Sequence, residues 1–93
     1  MKITSSSFQD QSVIPGQYAF AIKDPNTHIT LSSNQNPHLA WSDFPKETQS
    51  FALICHDPDV PSKGDDVNQE GKVVPASLPR VDFYHWVLVN IPN

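Results

Sequence analysis

The sequence predicts a mainly β chain built on antiparallel strands, and three observations predict it. Nine prolines and three glycines among 93 residues punctuate the chain too often for long helices. Two runs, 50–56 and 84–91, are apolar and rich in aromatic or β-branched residues, yet too short for a helix. No segment carries an apolar stripe at helical spacing.

The elements follow in order. Residues 1–8 alternate weakly around Ile3 and Phe8, as an edge strand does. Residues 10–16 are turn-like and end in Pro15-Gly16. Residues 17–22 carry Tyr18, Phe20 and Ile22 at period two, the pattern of a half-buried strand. Asp24-Pro25-Asn26 is a turn, and residues 28–31 are a short extended piece. The apolar stretch 38–41 is closed by a turn at 42–45. Residues 50–56 and 84–91 then suit central strands covered on both faces. Between them, residues 57–82 read as one long irregular loop. Such a loop exceeds the length of about 15 residues that compact domains commonly tolerate. Little then remains for a core. The last strand ends almost at Asn93, so residues 1–93 are expected to be the N-terminal portion of a single domain whose C-terminal portion is absent.

Composition narrows the function. Ten acidic against six basic residues give a formal net charge of −4, which disfavours nonspecific binding to nucleic acid or to an anionic membrane. No apolar run approaches the roughly 20 residues of a transmembrane helix. A single cysteine, Cys55, excludes an internal disulfide framework and reads as a small buried apolar residue. With no recognisable export signal, the expected location is cytoplasmic.

Two places can carry chemistry. Asp57-Pro58-Asp59-Val60-Pro61 directly follows the first apolar run. Each proline fixes its own φ and pushes the preceding residue toward extended geometry, so two carboxylates are held on a stiff corner. The same residues also suit a plain turn. His85 opens the second apolar run. If the two runs pair antiparallel, the connection 57–82 leaves one and enters the other, and His85 lies beside that corner. A calcium loop starting at Asp57 fails, with Ser62 where glycine belongs and Asn68 where glutamate belongs. His38, His56 and His85 lack the tight spacing of zinc ligands. No nucleophile elbow, phosphate-binding glycine loop or dinucleotide fingerprint occurs, so no catalytic residue, metal or cofactor is assigned.

Three segments in this order, Asn36-Pro37-His38-Leu39-Ala40-Trp41, Asp57-Pro58-Asp59-Val60-Pro61 and Tyr84-His85-Trp86-Val87-Leu88-Val89-Asn90, resemble the phosphatidylethanolamine-binding protein family. The likeness is strongest to its bacterial, Raf-kinase-inhibitor-like branch. The resemblance implies a fold round a large antiparallel sheet, incomplete in this chain. It also implies a small pocket for phosphate-like anions or phospholipid head groups. Asp57, Pro58, Asp59 and Pro61 would form one wall and His85 another, with Pro37 and Trp41 in support. The Gly-x-His-Arg-Tyr-like segment that supplies a second pocket histidine in the family has no match here.

The expected function is therefore a ligand-binding module without turnover, taking a small anionic or zwitterionic ligand. Inhibition of a kinase or protease is the regulatory role the family suggests. Two alternatives stand beside it: a protein-interaction module that does not use the pocket, and a hydrolase using Asp57, Asp59 and His85. Residues 62–82 read as a flap, an oligomer contact or a plain solvent loop.

Overall fold

The computed structural model describes all residues from Met1 to Asn93. The chain is mainly β: six strands and one 3-10 turn, with every strand pair antiparallel. It divides into two compact units, residues 1–47 and 48–93.

In the first unit, β1 (Lys2–Thr4) pairs with β4 (Ala40–Ser42), and β2 (Ala21–Asp24) pairs with β3 (His28–Leu31). The β2–β3 turn is set by Asp24, whose Oδ1 accepts the backbone N–H groups of Asn26 and Thr27, both at 2.8 Å. This is the local side-chain closure for which aspartate is favoured in turns. The strand expected over 17–22 is displaced. Gly16–Tyr18 forms the 3-10 turn instead, with Tyr18 N–H donating to the Pro15 carbonyl and Ala19 N–H to that of Gly16. Pro15 supplies the fixed φ that opens such a turn, so the strand begins only at Ala21. A Cβ at Gly16 would lie 2.8 Å from Ile22 Cγ2, so any larger residue there forces the Ile22 side chain to shift.

The second unit is one long hairpin of β5 (Ser50–Pro61) and β6 (Arg80–Pro92). Both apolar runs are therefore strands, and they pair with each other. The irregular connection is shorter than the sequence suggests, 62–79 rather than 57–82. Pro58 and Pro61 impose extended φ and push Asp57 and Val60 the same way, so the acidic corner continues β5. Ser62 N–H donates to the Pro79 carbonyl at 3.0 Å and closes the loop at its base. Three tight turns follow inside it, with Val67 N–H bonded to Gly64, Lys72 N–H to Gln69 and Leu78 N–H to Pro75.

The ladder slips by one residue in three places. Asn90 is extra on β6 between the pairs Phe51–Ile91 and Leu53–Leu88, and it adopts φ 58°. His85 is extra on β6 between Cys55–Trp86 and His56–Tyr84. An extra residue falls on β5 between Asp57–Phe83 and Val60–Val81, where Pro58 offers no N–H to the ladder.

The strands are not covered as expected. No residue of the chain is buried, and Ile54, Val87 and Val89 are more than half exposed. Cys55 is exposed too, not the buried apolar residue expected from its sequence. No helix is long and apolar enough to cross a membrane.

Candidate functional site

The acidic corner and His85 meet in the hairpin. Asp57 Oδ2 lies 3.2 Å from His85 Nε2, and Asp57 Oδ1 accepts the Asp59 backbone N–H at 2.9 Å. Both carboxylate oxygens are thus engaged. The His85 bulge makes the first contact possible, since an extra residue re-aims the side chain out of strict alternation. The β5 bulge makes the second, because Asp59 would otherwise donate along the ladder.

Electrostatics follow from this geometry. The Asp59 backbone N–H, and after it the His85 ring, hold the Asp57 carboxyl below its ordinary value of 3.8. Asp57 is ionised at neutral pH, so the nitrogen facing it must carry a proton, and Nε2–H donates. Nδ1 takes no part in this contact. In the neutral ring Nδ1 is an acceptor; in the charged ring it is a second donor.

Other side chains border this pair. The Phe83 ring meets the His85 ring edge-on, with centroids 4.8 Å apart. Arg80 Nε lies 3.8 Å from Asp59 Oδ1, and the Asp59 side chain is 83% exposed. Pro58 is exposed and Pro61 half-buried, so the two prolines shape the corner through backbone. Asp57, Pro58, Asp59, Pro61 and His85 therefore share one hairpin. Pro37 and Trp41 belong to the first unit, where Trp41 sits opposite Ile3 on the β1–β4 pair.

A second histidine–carboxylate pair was not legible in sequence. His56 Nε2 lies 3.0 Å from Asp82 Oδ1, and its ring stacks on Tyr84 at 5.1 Å. His56 pairs across the ladder with Tyr84, which the sequence could reveal only with the register in hand. His38 is used structurally: its Nδ1 accepts the Ser6 N–H at 3.1 Å. No cluster of three histidine, cysteine or acidic side chains is close enough to hold a metal ion.

The model of the family described as phosphatidylethanolamine-binding protein matches residues 4–93. The chain belongs to this family. Among its relatives is the UPF0098 protein YbhB of Escherichia coli K12, 32% identical over 92 residues, which are 99% of this chain and 44% of YbhB. The UPF0098 protein of Methanothermobacter thermautotrophicus is also 32% identical over 92 residues, covering 99% of this chain and 42% of that one. That of Aquifex aeolicus is 31% identical over 93 residues, covering the whole chain and 38% of the relative. The chain thus spans less than half the length of these relatives. No solved structure matches it significantly.

Proposed function

We propose that the corner of Asp57, Asp59 and His85, stiffened by Pro58 and Pro61, binds a small phosphate-bearing head group without turning it over. The observation that carries this reading is the 3.2 Å contact between Asp57 and His85, which fixes the imidazole with one nitrogen free for a ligand. A charged His85 donates Nδ1–H to a phosphate oxygen, and the Asp59 carboxylate accepts from an ammonium or hydroxyl on the same ligand. Two ionised carboxylates repel a bare phosphate dianion, so a zwitterionic ligand such as phosphoethanolamine is preferred. Membership of a family named for phosphatidylethanolamine binding agrees with this choice. A cytoplasmic location suits the exposed free thiol of Cys55.

Hydrolysis is the weaker reading. Asp57 is held ionised and both its oxygens are engaged, which unfits it as a general acid. Nothing at the corner is particular to a kinase or a protease, so the reading stops at ligand binding.

Calorimetric titration tests it. Phosphoethanolamine should bind more tightly than inorganic phosphate, because its ammonium relieves the repulsion between the phosphate and the two carboxylates. His85→Ala should weaken binding at least about tenfold, the worth of one charge-assisted hydrogen bond. Equal affinity for the two ligands, unchanged in His85→Ala, would sink the reading.

A further inference from the structure

We infer that Arg80 is the anchoring cation of this site and that Asp59 is its resident competitor, displaced when a phosphate group binds. This deepens the reading above and rests on it. The electrostatic difficulty of the corner is plain: residues 48–93 hold six acidic side chains against Lys63, Lys72 and Arg80. Asp57 and Asp59 alone would repel the anion that His85 is placed to receive. Arg80 is the only arginine of the chain, and it stands opposite Pro61 where the loop rejoins the hairpin. That position puts its guanidinium beside Asp59, within two residues of Asp57.

The contact itself has the character of an occupied but replaceable site. At 3.8 Å the Nε–Oδ1 separation is beyond hydrogen-bond range, so the pair is held by charge alone. Asp59 is largely solvent-exposed, and exposed pairs of this kind contribute little to stability. A phosphate group whose two oxygens accept parallel hydrogen bonds from the guanidinium offers what Asp59 does not. The planar fork of arginine matches phosphate, and lysine supplies only a point charge. Asp59 then has two uses. Without ligand it holds Arg80 near the corner; with ligand it turns to the ammonium or hydroxyl of the same head group. The phosphate can come from a lipid head group or from a soluble phosphate ester.

One measurement reads this directly. A sole arginine gives a single Nε–Hε signal in nitrogen-proton correlation spectra, assignable without ambiguity. Inorganic phosphate added to the full chain should move that signal saturably, together with the His85 ring signals. Arg80→Gln should weaken phosphate binding at least tenfold, Arg80→Lys should restore only part, and Asp59→Asn should strengthen it severalfold. The Asp59 amide signal, bonded to Asp57, reports whether each variant keeps the corner.

If His85 responds and Arg80 stays still, the inference is overturned and the binding corner stands. If Arg80 responds alone, Arg80 is an anion anchor and the role given to His85 falls. If neither responds, both fall. Vesicles of phosphatidylcholine with and without phosphatidylethanolamine separate the two sources. Vesicle binding abolished by Arg80→Gln supports the inference with lipid as source. Absent vesicle binding beside a saturable phosphate shift supports it with a soluble ester as source.

Discussion

Asp57 is the residue on which the corner turns, because it is bonded to its own chain and to the other strand at once. Its carboxyl is held low first by the Asp59 backbone N–H and second by His85. The order of causes yields a test. A carboxyl lowered in the folded state contributes stability above its ordinary value, and that contribution is lost as pH falls through the lowered value. The Asp59 amide resonance should therefore titrate with a midpoint below 3.8, the ordinary value for Asp57. In His85→Ala the midpoint should rise yet remain below the ordinary value, since the larger cause is intact. A midpoint at or above the ordinary value in the unaltered chain would show that the Asp59 bond does not form in solution. In Asp57→Asn the acid-side loss of the corner should disappear.

At the scale of elements, the hairpin is defined by where its ladder slips. Asn90 sits at φ 58° inside the run Val87-Leu88-Val89-Asn90-Ile91, a conformation that costs most side chains roughly 1–2 kcal/mol and asparagine less. Replacing it with valine should lower hydrogen-exchange protection of the Phe51 and Ile91 amides by about tenfold, and replacing it with glycine should leave protection nearly unchanged. Equal protection in both variants would place the slip elsewhere. This element also shows what sequence can and cannot give. The two runs were legible as strands because apolar β-branched residues cluster in them without helical spacing. The corner was legible because two prolines stiffen two aspartates beside a strand. The bulge at His85 was not, since nothing in Tyr84-His85-Trp86 marks an extra residue, and without it strict alternation governs which face the ring takes. The contact of Arg80 with Asp59 was hidden too: the two are 21 residues apart in sequence and adjacent only once the loop 62–79 closes. Cys55 misled because an apolar run implies burial, and its side chain is exposed.

For the molecule as a whole, the absence of any buried residue governs how these 93 residues behave in solution. A hairpin with one partner per strand is marginal in water, and three or more strands or a packed helix are needed for independent stability. Here Ile54 and Val87, paired on one face, are 57% and 53% exposed, while Leu88, paired with the half-buried Leu53, is 40% exposed on the other. Both faces of β5 and β6 are therefore apolar and open, as strands destined for cover on both sides would be. The family relatives are more than twice as long, which supplies the material for such a cover. We propose that polypeptide corresponding to the rest of the relatives' length completes this sheet. The 93-residue chain alone should then unfold in urea over a broad, weakly cooperative transition and bind a hydrophobic dye before denaturant is added. A chain carrying the relatives' additional length should unfold sharply, lose the dye and gain amide protection along β5 and β6. The opposite result is well defined. A self-sufficient domain of this size absorbs about 65 kcal/mol on melting near 60 °C, so a single sharp calorimetric peak of that area from the 93 residues alone would show that the open faces need no cover.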